Sequence, residues 1–574
     1  MKEKIKNIFK GDSLCYIILF LVSCFLLYSY ALNLGTLSNG QDTLFHASNI
    51  SVIESTLDFS RFKFLPSPIL PNIANNLGYG IGLFYPRLPH IIGAYITHLV
   101  MPFGGSVTTG IKLTHLLLVF FSALFMYKFS KKVFKNSKSA FFSALFYITS
   151  SYFISDILYR DAFAESFQFL FLPIIMIGLY ELFYGKRSNF YFYFIIGYVG
   201  MINSHVVLSI FLTLAFIIYL LFHLSEIFKK NKLKPLVYAA ITILILTLPE
   251  LIPLLEHKLF ASLAVFSNNL ISSSGLVSAC AISPFAYLFP FYEGTMIQFF
   301  INIAVIILLI IVINKRKQIF KTKAQVKLLT TFLTIGIIFL LLTTRLTPWQ
   351  YAPDFLLMIQ FPWRLEIVVI FVTSFLAATY FLLPNIKHSK TKEIMLIVIA
   401  LFFAYIASVP QTTRDFVIEP NLENVFISEY GMGWSKEYLP ETTLKNAGYY
   451  LYQENKVISK NSEEIEVLDY VNNIPNMSFS LNIMSKTTIE VPRLYYLGYN
   501  IKFKDSTNTS INIPYRESKQ GMIELDIPSS GTISITYPGT KSKQISNIIR
   551  TIFLLVLISW LLFLSKKRCL EIDK

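Results

Sequence analysis

The stretch YRDAFAESFQFLFLPIIMIGLYELFY, residues 159–184, decides how the chain is read. From residue 163 to residue 184 it is an apolar run long enough to cross the roughly 30 Å hydrocarbon core of a bilayer as a helix. Arg160 and Asp161 stand just before the run and Glu165 within its first turn. An ionised side chain at the membrane surface or below it is costly, and it usually faces a wet cavity or a partner. The stretch therefore predicts a membrane helix whose first turn carries polar chemistry.

Runs of the same kind recur at 14–34, 111–129, 139–157, 190–202, 206–224, 236–255, 296–313, 328–342, 367–383, 394–408 and 545–564. With 163–184 they predict about twelve spans. The composition agrees. Of 574 residues, 54% are apolar and only 15% charged, with 53 Phe and 33 Tyr, and the mean hydropathy is +0.56. A soluble protein of this size has no core large enough for so much apolar surface. The first run follows Lys2, Lys4, Lys6 and Lys10 but lacks a small-residue cleavage site, so it reads as a retained signal anchor.

The net charge of +16 reports topology rather than a nucleic-acid partner. Placing the N-terminus in the cytoplasm makes the loops 128–138, 185–188, 225–234, 314–327 and 384–392 and the tail from 566 cytoplasmic. Together with the N-terminus these hold about 28 of the 50 basic residues, as the positive-inside rule requires. The apolar stretch 88–101 must then be an interfacial or re-entrant helix, because counting it as a span would invert everything after it. The four cysteines form no C-x-x-C pair, which argues against a disulfide framework or a zinc cluster.

On this topology the long loops 35–110, 256–295 and 343–364 and the polar segment 410–543 face outward. Within that segment, residues 478–482, 488–491, 499–503, 522–527 and 532–537 alternate apolar and polar with period two, which is strand patterning. The predicted fold is an all-α polytopic membrane bundle over 1–409. It is followed by a small exterior β-sandwich-like domain over 410–544, then a final helix and basic cytoplasmic tail over 545–574. The setting is a cell membrane, with both termini cytoplasmic and the β-domain extracytoplasmic.

The motifs for P-loop nucleotide hydrolysis, zincin chemistry and the serine-hydrolase elbow are all missing. Four constellations remain. Asp42 opens the first outer loop in Gln41-Asp42-Thr43-Leu44-Phe45-His46, and in a helix Asp42, His46 and Asn49 share a face. Such a carboxylate can take a proton from a hydroxyl or hold a divalent cation (Mg or Mn), or it can simply support a helix start. Asp161 and Glu165 are one helical turn apart if helical, with Arg160 as partner; a structural ion pair is the alternative to a substrate contact. His205 sits at a tight turn between two spans, where a lone histidine is more often a satisfied interface residue than a functional one. Arg364, in Gln360-Phe361-Pro362-Trp363-Arg364-Leu365-Glu366, opposes the dipole at a helix start. It either binds an anion such as phosphate there or snorkels to the headgroups. Arg87 is a second phosphate candidate.

An acid just after the first helix, an amphipathic first outer loop, many spans and an exterior C-terminal domain resemble the GT-C superfamily of polytopic glycosyltransferases. The strings Gln41-Asp42-Thr43-Leu44-Phe45-His46, Tyr159-Arg160-Asp161-Ala162-Phe163-Ala164-Glu165 and Gln360-Phe361-Pro362-Trp363-Arg364 are similar to those of bacterial membrane proteins called 6-pyruvoyl-tetrahydropterin-synthase-related, close to the YfhO-like group. The pterin activity itself is set aside, because no exterior three-histidine cluster exists to hold its metal. The resemblance implies transfer of a sugar from a polyprenyl-phosphate carrier to a surface polymer or glycolipid acceptor at the outer face of the bilayer. It makes Asp42 the base or metal ligand. Arg364, with Arg160 or Arg87, would neutralise the lipid phosphate, while His46, Asp161, Glu165, His205 and Glu366 would line the substrate site. Relatives often carry a paired acid in the first loop; here residue 43 is Thr, which leaves the metal question open. A transporter or flippase of lipid-linked saccharides and a non-catalytic envelope scaffold are the competing readings. The transferase reading requires Asp42 and Arg364 to converge beside a lipid-accessible crevice.

Overall fold

The computed structural model describes residues 12–28, 36–38, 40–58, 64–266, 273–294, 297–384, 389–412, 416–418, 429–433, 436–446, 455–461 and 464–572. The N-terminal lysines and the end of the first apolar run, from 29 to 34, lie outside these. The described chain is mostly helical, with two antiparallel sheets near the C-terminus. It forms two compact units. One comprises Met1–Ser55, Pro86–Ala239 and Ile271–Glu423; the other Thr56–Tyr85, Ala240–Leu270 and Asn424–Lys574.

Seven helices among the described residues are long and apolar enough to cross a membrane: Val107–Phe134, Phe163–Tyr184, Leu233–Phe260, Lys323–Thr343, Pro362–Leu382, Lys390–Val409 and Lys541–Ser559. An eighth is added if Ser137–Ile148 and Ser151–Arg160, bent by 46°, count as one span. The other four expected spans are the shorter helices Asp12–Leu26, Arg187–Ile202, Val206–Phe222 and Ile303–Asn314, of 12 to 17 residues. At 1.5 Å per residue the described parts reach about 18–26 Å, and the last three, whose ends are all described, are shorter than the hydrocarbon thickness. For Val206–Phe222 and Ile303–Asn314 a capping side chain sets the start of the helix. The Asn302 side chain accepts from the Ala304 amide at 2.8 Å and starts that helix at Ile303, well inside the apolar run that begins at residue 296. Residues 88–101 are helical over Leu88–Val100, with a 3₁₀ turn to Phe103.

In the first unit, Phe163–Tyr184 and Pro362–Leu382 are the most enclosed spans, each with 83% of its apolar window buried, against 22% for Lys390–Val409. Phe163–Tyr184 packs on Arg187–Ile202 through glycine. A Cβ added at Gly178 would lie 2.7 Å from the Phe194 amide nitrogen, so the two backbones are too close for any side chain there. Near one end of the unit, Thr36–Ser38 pairs antiparallel with Phe416–Ile418.

The second unit holds a four-stranded sheet in the order Ile458–Ser459, Thr487–Leu494, Met522–Ile527, Tyr515–Glu517. Its five-stranded sheet has the order Glu466–Asn473, Asn476–Asn482, Gly531–Thr536, Asn500–Asp505, Ser510–Asn512. All five expected strands occur. Along Asn476–Asn482 the residues Met477, Phe479 and Leu481 are buried and alternate with exposed or half-exposed neighbours, as the sequence pattern requires. The middle of the first long loop belongs to this unit and packs against the sheets. The Leu494 amide donates to the Leu77 carbonyl at 3.0 Å, and the Tyr79 hydroxyl donates to the Met432 carbonyl at 3.1 Å.

Candidate functional site

The site begins where a helix is broken. Ser151–Ser155 is followed by a π turn, Asp156–Arg160, and Asp161 then adopts a left-handed backbone (φ +53°) before the next helix starts at Phe163. Aspartate is among the few non-glycine residues that visit this region readily. π turns concentrate at functional positions because they re-aim side chains and free backbone groups. Here the Arg160 carbonyl is freed, and it accepts from the Asp42 amide at 3.0 Å. The Asp42 carbonyl in turn accepts from the His46 amide at 3.0 Å, which places Asp42 at the head of the helix Thr43–Thr56. Gly40 makes this approach possible. A Cβ there would stand 2.9 Å from the Asp161 Cβ and 3.1 Å from the Arg160 carbonyl oxygen.

Around this junction lies a buried ionic cluster. Arg160 Nη1 donates to Asp156 Oδ1 at 2.6 Å and lies 3.1 Å from Glu165 Oε2. Arg364 Nε donates to the same Glu165 oxygen at 3.0 Å, while the Tyr152 hydroxyl donates to Glu165 Oε1 at 2.6 Å. Ser166 donates to Asp156 Oδ2 at 3.1 Å. Arg364 is oriented by the 3₁₀ turn Pro362–Leu365, which follows the left-handed Gln360 (φ +61°). Its Nη1 donates to the Ile359 carbonyl at 3.0 Å and to Gln360 Oε1 at 2.9 Å, and its guanidinium stacks 4.9 Å from the centre of the Phe361 ring. Arg364 Nη2 makes no hydrogen bond among the described residues. Arg160 Nη2 stands 3.9 Å from Asp42 Oδ2, a charge contact rather than a hydrogen bond.

Asp42 is the exposed member. Its side chain is 43% exposed, against 3% for Arg160, 2% for Glu165 and 10% for Arg364. Desolvation by the packed surroundings nevertheless raises its carboxyl above the ordinary aspartate range, with Arg160 and Arg364 acting in the opposite direction. Two guanidiniums face three carboxyl groups, and Asp42 is the one left at the rim.

The arrangement brings together Asp42, Arg160, Glu165 and Arg364, and corrects several expectations. Asp161 and Glu165 do not share a helical face, because the left-handed turn at Asp161 interrupts the helix; Asp161 Oδ1 instead lies 3.6 Å from His115 Nε2. The His46 ring pairs with His90 rather than with the Asp42 carboxylate. It is buried, with Nδ1 2.8 Å from His90 Nε2, and burial, with the neighbouring His90 next, holds its pKa well below the usual histidine value. Glu366 binds the Tyr287 hydroxyl at 2.6 Å rather than either arginine. His205 caps its own helix, accepting from the Leu208 amide at 3.2 Å, although Arg364 and Glu165 both act on it electrostatically. Arg87 stands at the N-terminus of Leu88–Val100, where its charge disfavours protonation of His90. The donors around Asp42 do not suit a divalent cation, since its nearest charged neighbour is a guanidinium. No group of three or more metal-ligating side chains occurs among the described residues.

Asp156 and Tyr152 were missed because they lie in or beside an apolar run read only as a span. The signal was present: an acid inside an apolar run is a functional pointer by itself. Leu365, which follows Arg364 in the chain, lines an apolar hollow of about 330 Å³ with Phe211, Leu342, Trp349 and Leu356. Compared with known proteins, the chain matches no family model and no curated protein.

Proposed function

We propose that the chain is a membrane glycosyltransferase that moves a sugar from a polyprenyl-phosphate carrier to a cell-surface acceptor, with Asp42 as general base. The observation that carries this reading is the half-exposed Asp42 carboxylate on the rim of a buried cluster containing two arginines. In the reaction the acceptor hydroxyl attacks the anomeric carbon and its proton passes to Asp42. The bond from that carbon to the phosphate oxygen breaks, and the lipid phosphate leaves with the electron pair. Proton uptake by Asp42 removes one negative charge beside the arginines as negative charge develops on the phosphate. The free Nη2 of Arg364 and the Nη2 of Arg160 then meet it with fixed positive charge. The apolar hollow beside Leu365 suits the first part of the lipid chain.

A twelve-span GT-C-like bundle in a cell membrane, with both termini cytoplasmic and the sheets forming an exterior sandwich, is the architecture that accompanies this reading. One observation favours a carrier of lipid-linked saccharides instead: the 46° bend with its π turn at the ionic cluster, since transporters build their sites at interrupted helices. The two readings separate in cells. Asp42→Asn and Arg364→Ala at normal membrane levels should abolish glycosylation of surface polymer. If Asp42→Asn leaves it intact, Asp42 is not the base. If either change stops carrier movement in vesicles lacking acceptor, the chain is a transporter.

A further inference from the structure

Two long loops of the first unit, 273–294 and 344–360, are bonded into one body. Ile282 and Thr344 form a parallel bridge, in which the Ile282 amide donates to the Thr343 carbonyl and the Arg345 amide to the Ile282 carbonyl, each at 2.9 Å. Arg345 Nε donates to the Ala281 carbonyl at 3.0 Å, and its Nη2 reaches Glu293 Oε2 at 2.7 Å. The Tyr287 hydroxyl lies 2.6 Å from Thr343 Oγ1.

The surface of this body is unlike that of a water-facing loop. Phe285, Phe289, Tyr292, Tyr351, Phe355 and Met358 are all exposed, Tyr351 to 82%. Over both segments the only charged residues are Glu293, Arg345 and Asp354, and the first two neutralise each other. Contiguous exposed aromatic surface of this kind marks an interaction site rather than ordinary solvent-facing surface. The chain also fixes its depth. Residues 344–360 join two helices that qualify as spans, Lys323–Thr343 and Pro362–Leu382, so the body cannot stand far from the level at which those helices leave the hydrocarbon. Its underside closes the apolar hollow through Trp349 and Leu356.

We infer that the two loops form a platform seated in the headgroup–acyl boundary of the bilayer, with its aromatic rim in lipid. Tyrosine is enriched at that depth because its ring is apolar and its hydroxyl polar, and phenylalanine on a surface with little charge reaches further toward the acyl chains. The lipid surface is favoured over a second copy of the chain because the exposed rim is continuous with the ends of two membrane-crossing helices. The inference does not depend on sugar transfer.

The test uses the full chain in nanodiscs of phosphatidylcholine and phosphatidylglycerol. Single-cysteine variants Phe289→Cys, Tyr351→Cys and Phe355→Cys, in a background with the native cysteines changed to serine, carry an environment-sensitive fluorophore. Met484→Cys, fully exposed in the sheet-bearing unit, is the control. Shallow nitroxide-labelled lipids should quench the three platform sites several-fold more than aqueous iodide does, with the order reversed at the control. Photoactivated carbene lipids applied to the unaltered chain should label peptides covering 285–292 and 351–358. Iodide quenching of the platform sites equal to that at Met484, or disulfide crosslinking between copies at these sites in place of lipid quenching, would overturn the inference. So would carbene labelling confined to the spans.

Discussion

Arg364 and Glu165 share a 3.0 Å charge-assisted hydrogen bond although 199 positions separate them in the chain. Glu165 thereby joins two guanidiniums, those of Arg160 and Arg364, at one carboxylate oxygen. That oxygen is the hinge of the cluster, and it sets the separation of the two arginines from each other and from Asp42.

Glu165 and Arg364 should be energetically coupled. Glu165→Ala leaves Arg364 without its carboxylate partner among the described residues, while Arg160 keeps Asp156, and its expected cost is about 3–5 kcal/mol of stability. Glu165→Gln combined with Arg364→Gln should cost clearly less than the sum of the single changes. Steric-trapping or reversible thermal unfolding in detergent checks this. Additive losses would show that the pair is not energetically coupled.

Gly40 tests the approach of the first loop to the π turn. Gly40→Ala places a methyl carbon 2.9 Å from the Asp161 Cβ, and overpacking of this kind costs about 1–3 kcal/mol when the neighbours cannot yield. The expected result is a chain that still inserts and stays helical but loses transfer activity at least tenfold, because Asp42 is pushed off its anchor at Arg160. Activity within twofold of the parent would show that the anchor does not position Asp42.

The histidine pair sets an acid limit on stability. Burial lowers the His90 pKa from 6.5 to about 3, and His46 lies well below its ordinary value as well. Both are therefore neutral in the folded chain, while the unfolded chain binds protons below about pH 6.5. Their contribution is fully present above pH 6.5 and is lost progressively as the pH falls toward 3. Melting temperatures measured between pH 7.5 and 5 should fall, and His46→Asn with His90→Asn should flatten that slope. An unchanged slope in the double variant would place the acid sensitivity elsewhere.

Much of the fold was legible because its signals are local. Phe163–Tyr184 and the strands around Phe479 and Ile523 follow from hydrophobic period alone. The strand Glu466–Asn473 escaped notice because most of its residues are exposed and carry no alternation. The first loop read as one piece, yet Thr56–Tyr85 belongs to the unit with the sheets, a long-range choice with no local signature. The site was half legible. Asp42, Arg160, Glu165 and Arg364 stood out as polar groups at span ends. Spacing assumes an unbroken helix, however, and the left-handed turn at Asp161 therefore put Asp161 on the wrong face. Nor does any local rule announce that His46 turns inward to His90.

The most direct measurement is sugar transfer by the purified chain in proteoliposomes supplied with radiolabelled polyprenyl-phosphate hexoses and a membrane acceptor fraction. The parent chain should transfer sugar from at least one of these donors, and Asp42→Asn should lose about two to four orders of magnitude in rate, the range of a missing general base. Transfer by Asp42→Asn at the parental rate would contradict the assignment of Asp42 as that base.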